Sequence, residues 1–310
     1  MFFIVGPTAT GKSELAADVA RHLDAEIVSA DAFQIYRGPD LLTAKPDSTT
    51  LAKAPHHLIS TTSISEEMNA EKFRQLALRA IAEIHSRKRF AVVVGGSGLY
   101  VKALTHGLTS LPPANPELRA QLNELTLEQL REKLVNLNPD AADKIDLKNR
   151  RRVVRAIEIC LTTTGRRGAA TSLPAEGPSR TGGLAKAGIF VFRDREELYQ
   201  RINRRVEAMF ALGVIEEVRA AVAGATQPIS LTASQMIGLS EIRRLIAGKI
   251  TEAEAIAAIQ QTTRRFAKRQ LTWFRHQTNF ESLNLSLLTH QEAVARILQQ
   301  ARLAAAQGND

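Results

Sequence analysis

Apolar residues follow two rhythms along this chain. In its first third, short and nearly unbroken apolar runs alternate with stretches where apolar residues recur at helical spacing. Met1-Phe2-Phe3-Ile4-Val5, Ala25-Glu26-Ile27-Val28-Ser29 and Phe90-Ala91-Val92-Val93-Val94 are the runs, and runs of this kind suit parallel strands covered on both faces. Phe73, Leu76, Ala77, Ala80, Ile81 and Ile84 form one stripe and predict a helix over about 69–88. From Pro112 the pattern turns helical. Leu118, Leu122, Leu125, Leu130, Leu134 and Leu137 keep helical spacing over 117–137, a short segment near Asp140 follows, and a basic helix from about Asn149 to Thr163 is stopped by Gly165. Residues 168–188 lack a period and are rich in Gly, Ala, Ser and Pro, which reads as a flexible return. Gly188-Ile189-Phe190-Val191-Phe192 then resumes the sheet, and helices follow: one bearing Arg201, Arg204 and Arg205, another past Gly213, then 232–247, 251–276 and a tail over 291–305.

The first turn between strand and helix sets the chemistry. Gly6-Pro7-Thr8-Ala9-Thr10-Gly11-Lys12-Ser13 follows the first strand and runs into Glu14-Leu15-Ala16-Ala17-Asp18, the context that a phosphate-binding P-loop requires. Its glycines let the backbone amides turn inward, and the helix start adds the positive end of its dipole. Lys12 supplies a point charge for phosphate oxygens, and the Ser13 hydroxyl is placed to ligate Mg²⁺. The motif specifies a polyphosphate and does not say whether a nucleotide carries it. The expected fold is α/β, with a P-loop NTPase-like parallel sheet core (1–111 and 188–310) and a helical insertion domain (112–187) hinged on it.

Three further stretches fall where a site is expected. The second strand ends in Asp31, and in an open parallel sheet the carboxyl ends of the strands face one crevice, so a carboxylate there faces the P-loop and can accept a proton. The alternative for Asp31 is a helix-capping carboxylate on a surface loop. Lys45, in Thr43-Ala44-Lys45-Pro46, is either a second phosphate contact or an exposed lysine. The strand ending at Val94 leads into Gly95-Gly96-Ser97-Gly98 with no acid, where a nucleoside-triphosphate hydrolase places a Mg²⁺-binding Asp. Ser97 there offers a hydroxyl for a leaving-group oxygen. His56 and His57 are adjacent on a strand, point to opposite faces and do not chelate one ion.

Composition narrows the partners. The 310 residues carry a net charge of +9, concentrated in two places. Residues 148–167 hold seven Lys or Arg against Glu158 alone, and 264–276 hold Arg264, Arg265, Lys268, Arg269 and Arg275 with no acid. Such helices fit a large polyanion; solvated helix faces are the plainer reading. Cys160 is the one cysteine, which excludes intramolecular disulfides and a cysteine-based zinc finger and places a small residue on a helix's apolar face. With no run of about eighteen apolar residues and no secretion signal, a cytoplasmic protein without a membrane span is expected. A monomer is the default expectation.

GPTATGKS, SADAFQIY, TAKP, PHHLI, GGSGLY, RAIE and TRRFAKRQLTWFR, in this order over residues 2–276, resemble the bacterial tRNA dimethylallyltransferases, the isopentenyl-tRNA transferases. The resemblance implies transfer of the dimethylallyl group of dimethylallyl diphosphate to N6 of the adenosine 3′ to the anticodon (position 37), in tRNAs reading codons that begin with U. It implies that Asp31 is the general base, that Ser97 (where the family usually has Thr) and Lys12 take part in catalysis, and that Gly6 to Ser13 hold the diphosphate with Mg²⁺ on Ser13. Arg201 or Arg205 would add charge to the diphosphate. It assigns contacts with the tRNA anticodon stem-loop to Asp31, Ala32, Phe33, Gln34, Ser97, Arg119, Arg151, Arg152, Arg155, Gln235, Gly238, Arg264, Lys268 and Arg269. The chain departs from the family at Leu239, where Tyr is usual, and at Asn149, where Asp is frequent. A small-molecule kinase, a transferase acting on free AMP and an RNA-binding protein with a vestigial site are the competing readings. Neither of the first two needs two strongly basic helices.

Overall fold

The computed structural model describes residues 1–108, 112, 115–163, 187–224 and 227–306. The chain divides into two compact units, 1–106 with 183–310, and 107–182. Both junctions lie a few residues before those expected at 112 and 187. The return over 168–188 lies, but for its last residues, outside the described residues.

The larger unit contains β1 (Phe2–Val5), α1 (Lys12–His22), β2 (Glu26–Ser29), α2 (Ser48–Leu51), β3 (His56–His57), α3 (Ala70–Ser86), β4 (Ala91–Gly95) and α4 (Gly98–Thr105). The smaller unit contains α5 (Pro116–Glu124), α6 (Leu127–Leu137), α7 (Pro139–Asp143) and α8 (Arg150–Thr163). The chain then returns as β5 (Gly188–Phe192), α9 (Arg195–Ala211), α10 (Val214–Ala223), α11 (Leu239–Ile246), α12 (Glu252–Gln277), β6 (Glu281–Asn284) and α13 (His290–Ala306).

The six strands form one sheet in the order β3-β2-β4-β1-β5-β6, parallel at every pairing. Because side chains alternate along a strand, Phe3, Val5, Val28, Val93 and Phe190 enter one core with α3, α4 and α9 to α12, while Phe2, Ile4, Ile27, Val92 and Val191 enter the other with α1 and α13. Both faces are dry, as the unbroken apolar runs required. β4 lies between β1 and β2, so the loops leaving these three strands open side by side at the carboxyl edge.

Four elements differ from expectation. The leucine-rich stretch is two helices, since Leu125 is extended (φ −77°, ψ 150°) and Thr126 starts α6 with a reciprocal capping box to Gln129. Residues 232–247 are broken by Gly238 at φ 98°, with a 3₁₀ turn over Ala233–Gln235 before it. β3, expected to run on through Leu58-Ile59-Ser60, stops after His57 because Leu58 and Ser60 adopt φ 63° and 53°, which no strand accommodates. β6 was not anticipated: only Leu283 of its four residues is buried, so it carries no apolar run.

Within the smaller unit, Leu122, Leu130, Leu134, Val153 and Ile157 form a core of their own, with Cys160 buried among them as expected.

Candidate active site

In the P-loop the carbonyls of Pro7, Ala9 and Thr10 are occupied, while the amides from Ala9 to Ser13 are not. Ala9 at φ 65° and Gly11 at φ 92° reverse the backbone twice before α1. The Thr10 hydroxyl donates to the Pro7 carbonyl (3.0 Å), Arg193 Nε to the Thr10 carbonyl (2.9 Å) and Arg201 Nε to the Ala9 carbonyl (2.8 Å). Among the described residues nothing accepts from the amides of Ala9, Thr10, Gly11, Lys12 or Ser13. These donors, with the N-terminus of α1 behind them, form an anion nest. Gly6 is required at its root, since a Cβ there would meet the Val191 carbonyl oxygen at 2.2 Å.

The neighbouring loops are tied to it and to each other. The Gly6 amide donates to the Gly95 carbonyl (3.2 Å), the Ser97 amide to the Ala30 carbonyl (3.3 Å) and the Ala32 amide to Ser97 Oγ (2.9 Å). Ser97 thus holds the loop that carries Asp31, a job its position alone did not announce. Asp31 Oδ1 accepts from the amides of Phe33 (2.9 Å) and Gln34 (3.3 Å), closing a turn; no helix starts here for it to cap. Its Oδ2 has no hydrogen-bond partner among the described residues and remains available as a proton acceptor.

Two cations face this carboxylate. Lys12 Nζ donates to the Pro7 carbonyl (3.3 Å), and Arg205 Nη1 to Thr8 Oγ1 (2.8 Å). Among the described residues neither is held in an ion pair, and the buried Arg205 Nε has no acceptor. Burial pushes the Lys12 ammonium down to about 8, with Asp31 opposing the fall and Arg205 adding to it. Burial likewise pushes the Arg205 guanidinium down to about 10, again against the pull of Asp31 and with Arg201 adding to it. Two poorly solvated cations beside one carboxylate, with an orphaned N–H, leave an uncompensated positive charge that a bound anion satisfies.

Asp31, Thr8 and Arg205 also form the polar end of a cleft of about 640 Å³ counted to its open mouth. Apart from Thr43 and Thr263 the rest of its wall is apolar, including Phe33, Met209, Phe210, Met236, Ile259 and Phe266. On the other side of Asp31, Lys12, Ser13, Ser29 and Gln34 line a second hollow, which His56 also borders. Its Ser13 and Ser29 hydroxyls beside a carboxylate are hard oxygen donors that suit Mg²⁺.

The sequence model of the IPP transferase family matches residues 34–277. The chain belongs to the IPP transferase family. It is 42% identical to tRNA dimethylallyltransferase 1 of Citrifermentans bemidjiense over 87% of each chain. It is 38% identical to the tRNA dimethylallyltransferase of Geobacter sulfurreducens over 92% of this chain and 94% of that one. Among solved structures it resembles the tRNA isopentenylpyrophosphate transferase of Bacillus halodurans, with a TM-score of 0.69, 33% identity and 98% of both chains covered.

Within this IPP transferase, the two candidate arginines separate. Arg205 is half-buried and reaches the inside of the cleft, whereas Arg201 is exposed and stays on the outer carbonyl of the P-loop. Lys45 is neither a phosphate contact nor exposed. Its side chain is 5% accessible and bonds Asp40, the Tyr36 carbonyl (2.6 Å) and Ser60 Oγ (2.7 Å). His56 and His57 bond the Ala54 carbonyl and Glu26, each at 2.7 Å, on separate sides as anticipated.

The expected RNA contacts divide by exposure. Lys268 and Arg269 on α12, with Arg265 and Arg275, are exposed, and so are Gln235 and, at the start of α8, Arg151 and Arg152. Arg264 is half-buried, bonding Asn203 Oδ1 (2.6 Å) beside the Tyr199 ring. Arg119 and Arg155 are committed to Glu158, whose side chain is 2% accessible: Arg119 is bidentate at 2.9 Å and Arg155 lies at 3.0 Å. Burial would raise the Glu158 carboxyl, but these partners hold it below its ordinary value. Gly238 is buried against Leu42 and Ile259, so its part is to turn the chain into α11 rather than to present a surface. Ala32 and Gln34 are spent on the scaffold, Gln34 donating to the Ala44 carbonyl (2.9 Å). Phe33 lines the cleft. Phe274 is core, and Trp273 packs so closely on Gly98 that a Cβ there would meet its ring at 2.4 Å.

Proposed function

We propose that this protein transfers the dimethylallyl group of dimethylallyl diphosphate to N6 of the adenosine next to the anticodon of tRNA, position 37, releasing diphosphate. The observation that carries the reading is the cleft itself: Thr8, Asp31 and Arg205, beside the anion nest, form one end of a mostly apolar pocket. An amphiphile with a diphosphate head and a short hydrocarbon tail fits such a cleft. The family membership and the named relatives support the same substrates.

The chemistry follows from the side chains. The amides of Ala9 to Ser13, Lys12 and the orphaned Nε of Arg205 bind the diphosphate and stabilise the charge that grows on it as the C–O bond breaks. The Ser13 hydroxyl, with Ser29 close by, would hold Mg²⁺, which counters diphosphate charge when bound. Asp31, fixed through Oδ1 and by the Ser97-held loop, takes the proton of the adenine amine on Oδ2. The amine is conjugated with the purine and a weak nucleophile, so proton removal and leaving-group stabilisation act together. The base reaches the pocket by leaving its stack. The exposed cations of α12, and Arg151 and Arg152 in the insertion unit, hold the phosphates of the anticodon stem-loop, in tRNAs reading codons that begin with U. The protein acts in the cytoplasm as a monomer.

The test is to incubate the protein with tRNA, Mg²⁺ and dimethylallyl diphosphate and to weigh the nucleosides. N6-dimethylallyl adenosine and free diphosphate are the expected products. Unaltered nucleosides with ATP hydrolysed instead would overturn the reading.

A further inference from the structure

Gln270 makes two buried hydrogen bonds that the chemistry above does not use. It stands on the inward stripe of α12 formed by Thr263, Ala267, Gln270 and Phe274, while Arg265, Lys268 and Arg269 of the same helix face water. Its side chain is buried, with the residue only 6% exposed. Its Oε1 accepts from the Thr8 amide at 2.9 Å, and its Nε2 donates to the Gly96 carbonyl at 2.8 Å. One partner is an N–H and the other a C=O, so the orientation of the carboxamide is dictated by its surroundings. A Cβ on residue 96 would lie 2.4 Å from Nε2 and 3.0 Å from the Gly6 carbonyl oxygen, so the second glycine of Gly95-Gly96 is what admits the carboxamide.

We infer that Gln270 is a positioning residue for the transfer reaction, a clamp that fixes the P-loop against the Gly96 loop without touching either substrate. By occupying the Thr8 amide it sets where the nest begins, leaving the amides from Ala9 onward for the anion. By holding the Gly96 carbonyl it also steadies the segment whose next residue, Ser97, anchors the Asp31 loop. Thr8 is then gripped twice, by Gln270 at its amide and by Arg205 at its hydroxyl. Without the clamp, both groups are left buried and unpaired, and the loop must shift to recover partners. The loss falls on the diphosphate nest, not on the RNA-facing side of α12.

This inference rests on the proposed function, and inorganic diphosphate is the probe that separates the two. Gln270→Met keeps the volume and removes both bonds; Gln270→Glu keeps the acceptor for Thr8 but sets a carboxylate oxygen against the Gly96 carbonyl. Both variants should need at least about tenfold more inorganic diphosphate for the same inhibition, the equivalent of one buried donor left unpaired. The donor KM should rise in step, with affinity for an anticodon stem-loop RNA unchanged. Diphosphate inhibition equal to wild type in a folded variant would overturn the clamp, as would RNA affinity falling in parallel. Amide exchange in the ligand-free wild-type protein needs no variant: Thr8 should be protected while Ala9 and Thr10 exchange fast, and equal rates would also overturn it. A wild-type protein that neither transfers nor is inhibited by diphosphate would tell against the proposed function instead.

Discussion

Arg205 should make the ligand-free protein less stable than it would be without it. A guanidinium held at about 10 rather than at its ordinary value carries a burden of about 3 kcal/mol, present at every pH below that value. The bond from Nη1 to Thr8 Oγ1 offsets about 1 kcal/mol of this. Arg205→Met should therefore stabilise the empty enzyme by about 2 kcal/mol, raising its melting temperature by roughly 3 °C. Diphosphate should act in the opposite sense. In the wild type it binds only the folded state and raises the melting point with concentration, and that rise should be lost or greatly reduced in Arg205→Met. Thermal scans of both proteins across a diphosphate titration measure the two effects together. A variant that melts below wild type without ligand, yet still responds to diphosphate as wild type does, would show that Arg205 is a structural brace and refute the anion-site reasoning.

Lys12 makes a pH prediction. Its ammonium is lowered to about 8 in the free enzyme, so the cost of burying it charged is present below pH 8 and relieved as the pH rises above it. Diphosphate binds the charged form, so its affinity should fall as pH rises past about 8, with proton uptake on binding visible by calorimetry in buffers of different ionisation enthalpy. Glu158→Ala should destabilise the insertion unit by about 1 kcal/mol or somewhat more, because the Asn115 amide, Arg119 and Arg155 lose hydrogen bonds to its carboxylate while the arginines stay partly solvated; chemical denaturation followed by circular dichroism would register it. Affinity for tRNA should fall steeply with salt as phosphate contacts release counterions, and a flat titration would remove the exposed face of α12 from the account.

Much of this was legible in the residues. The P-loop, the parallel strands and the placing of Asp31 at a strand end follow from local pattern, and the sheet order brings the three loops together as that pattern requires. What escaped was settled by tertiary contacts. β6 has one buried residue in four and pairs with β5 only because the neighbouring edge is open. Lys45 looks like a surface cation until Asp40, the Tyr36 carbonyl and Ser60 enclose its ammonium. Arg201 and Arg205 share a helical face at a spacing of four. Each stands one residue before a buried position of the Leu198-Ile202-Val206 stripe, so local pattern does not separate them; the P-loop atoms they reach do. Gln270 was hidden among cations in TRRFAKRQLTWFR. It is nonetheless a polar residue on the stripe of Thr263, Ala267 and Phe274, and a polar side chain at such a position needs buried partners.

The most direct test of the central claim is single-turnover transfer by Asp31→Asn with saturating tRNA and dimethylallyl diphosphate. Asparagine keeps the oxygen that accepts from the Phe33 and Gln34 amides, so the loop should stay in place and tRNA should bind as before. Loss of the base should slow transfer by about 10²- to 10⁴-fold. Transfer at the wild-type rate with RNA bound would contradict the account.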